Sequence, residues 1–163
     1  MSTYYPLKTG NTWTYGNNDG STFTNKVESG DGNSFMMSNT TVTTQTQIKK
    51  DGDVFYADSY EAGNMQPFLK ENVSVGDKWE IKYLANTINS ILSVEIKSTG
   101  GTKEVEGKTY NDVMEMEGVM SFNMNGNIIN AGTKYNWFYA KNVGLILTTS
   151  SLGVNMPLKS YSI

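Results

Sequence analysis

Tight-turn signals divide this chain into short pieces: NDG at 18–20, DG at 31–32 and again at 51–52, GG at 100–101, EGK at 106–108, NG at 125–126, KN at 141–142 and LG at 152–153. Each puts a residue that tolerates positive φ where a hairpin loop needs one. Between these turns apolar and polar residues alternate, as in Trp79, Ile81 and Tyr83 against Glu80 and Lys82, or Leu92, Val94 and Ile96 against Ser93, Glu95 and Lys97. A segment of that kind makes a strand with one buried and one wet face. The spacing predicts strands near 12–17, 21–29, 34–48, 53–60, 79–85, 88–98, 102–106, 109–124, 127–140, 143–151 and 154–161.

Many short strands, each with one polar face, need an inner face to share. The expected fold is therefore all-β, a single domain over 1–163, built as an antiparallel meander β-barrel of about 10–11 strands. A strongly curved half-barrel like that of lipoprotein carriers is the second arrangement, and a β-sandwich the third. One long stretch, 61–78 (EAGNMQPFLKENVSVGDK), lacks a hairpin signal and reads as a connection. A short helical turn is expected at MQPFLKEN, with Phe68, Leu69, Val73 and Val75 seeking burial.

Trp-centred turns raise the question of a repeat. LKTGNTWTY at 7–15 and VSVGDKWEI at 73–81 share Gly-Asn/Asp-x-Trp, centred on Gly10 and Trp13 in one case and Gly76 and Trp79 in the other. Gly and Asn or Asp suit the turn, and the indole covers the end of the core. A second landmark, VFYAD at 54–58 against WFYAK at 137–141, keeps the same order. The pair suggests halves 1–66 and 67–163, the second enlarged by a hairpin within 109–140. The alternative is reuse of common β pieces.

The absences exclude whole classes of chemistry. The chain has no His, no Cys and no Arg, and all thirteen of its basic residues are Lys. The usual general base near neutral pH and the usual transition-metal ligands are missing, so no metal site or cofactor is expected. Without Arg forks, and with a net charge of −3, nucleic acid is not an expected partner. The apolar run GLIL at 144–147 falls far short of the roughly 18 residues of a transmembrane helix, so no transmembrane segment is expected. The start, MSTYYPL, has neither a basic nor an apolar leader region. The expectation is either a cytoplasmic protein or one whose leader has been removed.

YYPLKTGNTWTYG at the start, GKTYNDVMEME at 107–117 and YNWFYAKNVGLILTT at 135–149 together resemble a group of uncharacterised bacterial secreted domains and lipoproteins. Their pattern opens with YxPLxxGxxWxY and closes with YYAxxVGLI/V. Tyr5, Pro6, Leu7, Gly10, Trp13 and Tyr15 fall in the opening, and Tyr139, Ala140, Val143, Gly144 and Leu145 in the closing. The resemblance implies a periplasmic, outer-membrane-attached or extracellular location and supplies no catalytic residues. This chain departs from it in lacking a lipobox Cys.

Three constellations bear on binding. Met114, Met116, Met120, Phe122 and Met124 share one face if 113–124 is a continuous strand. A soft Met wall suits the lining of a cavity for a lipid or other small apolar molecule, and equally suits ordinary core filling. Gly118 would shift the later residues to the other face if it bulged the strand. Glu115 and Glu117 point away from that wall and read as a solvated face, not as a hydrolytic pair. Asp31-Gly32-Asn33 and Asp51-Gly52-Asp53 read as turns, lacking the rest of a calcium loop. Tyr4, Tyr5, Tyr15, Trp137 and Tyr139 would make a sugar-stacking platform if exposed. The expected function is non-enzymatic: an envelope or extracellular domain binding a small apolar or amphiphilic ligand inside a barrel. The alternatives are a packed structural module that meets an envelope partner protein, and carbohydrate binding through the aromatics.

Overall fold

The computed structural model describes residues 2–163. Twelve strands follow one another: β1 (Thr12–Gly16), β2 (Thr22–Asp31), β3 (Ser34–Asn39), β4 (Thr46–Asp51), β5 (Val54–Ala57), β6 (Gln66–Lys70), β7 (Lys78–Ala85), β8 (Ile88–Val105), β9 (Lys108–Met124), β10 (Asn127–Ala140), β11 (Gly144–Ser150) and β12 (Asn155–Ser162). All are antiparallel neighbours in one sheet of order β6-β5-β4-β3-β2-β1-β12-β11-β10-β9-β8-β7. Two six-strand meanders are thus joined where β1 pairs with β12, Trp13 opposite Tyr161. The sheet curls into a nearly closed barrel, the expected fold, with its gap between β6 and β7.

The strands differ from the expected ones in three places, two that add a strand and one that merges two. Residues 40–45, TTVTTQ, form the β3–β4 turn without any Gly to announce it. Gly100-Gly101 does not end a strand: β8 runs through it, its register slipping at 96/98, 98/101 and 101/103. The expected helical turn at MQPFLKEN is instead the extended strand β6. Pro67 fits there because β6 is an edge strand, where a missing N–H leaves no ladder bond unmade. Of the four residues there expected to be buried, Leu69 is fully buried, but Val75 is 62% exposed.

The two Trp turns are built alike. Gly10 has φ of 96° and Gly76 of 93°, conformations that cost a residue with a Cβ. The N–H of Gly10 donates to Val27 O at 2.8 Å, and Val27 N returns a bond to Asn11 O at 2.9 Å. Gly76 N donates to Ile96 O at 2.9 Å, and Ile96 N to Asp77 O at 3.0 Å. Trp13 and Trp79 are then each the second residue of a strand, and both are buried. The FYA landmarks do not correspond in the same way. VFYA lies on the fifth strand of its meander and WFYA on the fourth strand of the other. No added hairpin separates them; β8 and β9, 18 and 17 residues long, account for the longer spacing.

Inside the barrel the rings of Tyr5 and Trp13 stack with centroids 5.7 Å apart, and Phe55, Phe68 and Tyr139 meet Tyr5 edge-on. Burying each such side chain contributes about 1.5–3 kcal/mol. The outer wall carries ion pairs such as Lys26–Glu28, Lys78–Glu95 and Lys82–Glu80. An apolar interior and a charged exterior are the reverse of a membrane-spanning barrel. No helix is long and apolar enough to cross a membrane among the described residues.

Candidate functional site

Alternating strand direction sorts the turns onto two ends. The chain start, the β2–β3, β4–β5 and β10–β11 turns and the end of β6 gather at one end, here called the mouth. They surround an open cleft of about 1280 Å³. Tyr5, Leu7, Phe35, Phe55 and Val73 give it an apolar floor; Lys8, Lys50, Asp53, Glu71, Asp112 and Lys141 supply charge around it.

The start of the chain forms one wall of this cleft and is tied down from two sides. Glu71, just beyond β6, accepts from the Thr3 hydroxyl, from Tyr4 N at 2.7 Å and from Lys50 Nζ at 3.1 Å. Its side chain is 13% exposed, which makes these bonds necessary. From the β10–β11 turn, Asn142 N donates to Thr3 O at 2.7 Å, while Thr3 N donates to Asn142 Oδ1 at 3.2 Å. Lys141 lies over the Tyr4 ring at 5.5 Å and Lys50 over Phe55 at 4.8 Å. The sequence marks Asn142 only as part of the KN turn at 141–142, and nothing marks Glu71, which sits in the stretch read as a plain connection. Asp31-Gly32-Asn33 and Asp51-Gly52-Asp53 are turns, and Gly32, Asn33, Gly52 and Asp53 line the cleft.

Below the mouth, the opening and closing sequence patterns interlock. Trp13 Nε1 donates to Val143 O at 2.6 Å, and Tyr15 OH to Leu145 O at 2.9 Å. Gly144 has φ of 113°, and a Cβ there would stand 3.0 Å from Trp13 Nε1. Tyr139 meets Tyr5. Burial pushes the phenols of Tyr5, Tyr15 and Tyr139 well above their ordinary range, with neighbouring tyrosines adding to the rise for Tyr15 and Tyr139. They are neutral packing groups with a polar tip, not nucleophiles.

The Met wall occupies a different region. Gly118 does not bulge β9, whose pairing on the β8 side runs without a slip from Met116 opposite Ile96 to Phe122 opposite Ser90. Met114 and Met116 are fully buried, Met120 and Phe122 half-buried, and Met124 is 48% exposed at the strand end. Gly118 makes room for Trp137, whose ring would lie 2.6 Å from a Cβ there. None of the five lines the mouth cleft. Glu115 accepts from Asn136 Nδ2 at 3.0 Å. Tyr4, Tyr15 and Tyr139 are buried, and Tyr5 and Trp137 half-buried, so these five rings form no exposed platform. Tyr5 meets Tyr139 edge-on, Tyr15 stacks on Phe23 and Trp137 on Tyr135, and Lys141 lies over Tyr4. Among the described residues no three acidic side chains converge as metal ligands.

No family model matches the sequence, and no curated protein matches it. Two solved structures are similar in fold. A candidate exported protein with a YmcC-like fold, from Bacteroides fragilis, is 12% identical over 100% of both chains, with a TM-score of 0.61. A candidate lipoprotein from Parabacteroides distasonis is 12% identical over 99% of both chains, also with a TM-score of 0.61. The likeness is one of fold, between sequences with little in common.

Proposed function

We propose that this chain is a non-enzymatic domain of the bacterial envelope or exterior that holds a small amphiphile in the mouth cleft. The observation that carries the reading is the cleft itself, about 1280 Å³ with an apolar floor beneath charged side chains. A tail would lie on Leu7, Phe35 and Val73, and a head group would meet Lys50, Lys141 and their acidic neighbours. Cations and carboxylates are mixed around the cleft, which suits a zwitterionic or neutral head more than a strongly charged one. The exported and lipoprotein descriptions of the two fold neighbours, and the resemblance of the opening and closing patterns, support the location.

Titration with a fluorescent lysophosphatidylcholine analogue tests the reading. V73D and L7D should each weaken uptake, whereas M120Q on the Met wall should leave it unchanged. Loss in M120Q alone would move the ligand to the wall of Met114, Met116, Met120, Phe122 and Met124. No uptake at all would favour the second reading, a structural or protein-interaction module, for which the ring cluster of Tyr5, Trp13, Phe55, Phe68 and Tyr139 speaks.

A further inference from the structure

At the far end from the mouth, the exposed large apolar side chains collect. Leu84 and Ile88 flank the β7–β8 turn, Met124, Ile128 and Ile129 flank the β9–β10 turn, and Leu152 tops the β11–β12 turn. Ile128 is 60% exposed and Leu152 74%. Val42 stands on the β3–β4 turn at the same end, and Val75 and Ile163 are the exposed exceptions elsewhere. The same hairpins are free of charge: 83–94, 118–133 and 142–158 contain no Asp, Glu, Lys or Arg. In a chain whose other strands carry charged outer faces, three charge-free hairpins side by side at one end are a distinct surface.

We propose that these three hairpin tips dock on a zwitterionic lipid surface. The apolar side chains stand on separate turns, not on a flat face or an open sheet edge, so a fluid surface adapts to them where a rigid partner would have to match scattered points. The tip backbone is already capped: Gly126 N donates to Asn123 Oδ1 at 3.0 Å, Gly132 N to Asn130 Oδ1 at 2.7 Å and Leu152 N to Ser150 Oγ at 3.2 Å. Fewer donors then need dehydration on entering the head-group layer. Asp19 and Asp58 stand on neighbouring turns of the same end, which disfavours an anionic surface.

Flotation of the full chain with phosphatidylcholine vesicles, at low and at high salt, tests this. The wild type should float with the vesicles at either salt, since no ion pair drives the contact. I128D/I129D should lose roughly tenfold or more in partitioning, and L152D, on a different and fully exposed turn, should lose in the same direction. V75D should be unchanged. Far-ultraviolet circular dichroism establishes that each variant is folded. A wild type that stays with the soluble fraction, or an equal loss in V75D, would overturn the proposal. So would tip variants that change only the oligomeric state in light scattering, which would make the end an interface between copies of the chain.

Discussion

The indole N–H of Trp79 donates to the carbonyl of Pro67 at 2.9 Å, spanning the gap between β7 and β6 where the sheet has no ladder. Three more side-chain bonds follow along the seam. Gln66 Oε1 accepts from Lys82 N at 2.9 Å, Asn64 Nδ2 donates to Lys82 O at 3.1 Å, and Glu61 Oε2 accepts from Leu84 N at 2.9 Å. The Leu84 amide, with Asn64, holds the Glu61 carboxyl below its ordinary range. Side chains of one meander thus satisfy the edge of the other, which blunts two edges that would otherwise invite pairing with another chain.

Trp79→Phe keeps an aromatic ring and removes this donor. It should cost about 1–3 kcal/mol in urea unfolding, the range for a lost hydrogen bond that strands its acceptor. Amide exchange at Lys82 and Leu84 should accelerate more than at Thr14. Equal acceleration at both places would mean the seam is not a separate weak point.

Gly144→Ala probes the other junction. The substitution meets both a positive φ and the Trp13 indole 3.0 Å away, so a loss of about 2–4 kcal/mol is expected. Gly153→Ala is its control: φ is 89° but no heavy atom lies within 4 Å, and the loss should be near 1 kcal/mol. Comparable losses at the two sites would show that the close approach to Trp13 carries no cost.

Much of this architecture is legible in the sequence because turns and alternation are local. Gly10, Gly76, Trp13 and Trp79 announce their strand starts, and the β9–β10 hairpin follows from Asn125-Gly126. What hid were features set by tertiary position. Residues 66–70 look helical in isolation and become a strand because an edge beside β5 is available. Gly100-Gly101 looks like a turn and is a bend inside β8, since β9 continues opposite it. The site was less legible than the fold. Glu71 matters through Thr3 and Tyr4, which lie nearly seventy residues away in the chain, and the Met spacing speaks of a shared face without telling a cavity wall from a filled core.

Alkaline titration should expose the buried phenols. Tyr5, Tyr15, Tyr60 and Tyr139 have folded pKa values raised by burial, so each binds its proton more tightly folded than unfolded. Their contribution is complete below the ordinary tyrosine pKa near 10 and declines as pH rises above it, by about 1.4 kcal/mol per pH unit for each group. Tyrosinate absorbance should therefore rise in a gradual phase from accessible phenols and then jump with loss of the near-ultraviolet dichroism. A smooth titration of all ten tyrosines with the fold intact would contradict the packed aromatic interior.

The most direct test of the account is a nuclear magnetic resonance map of the amides during titration with a monomeric single-chain zwitterionic amphiphile, lysophosphatidylcholine. The mouth-cleft proposal predicts saturable shifts at Leu7, Phe35, Lys50, Val73 and Asn142, with Met116 and Met120 unmoved. Shifts centred on β9 at Met116 and Met120, or no saturable shifts anywhere, would contradict it.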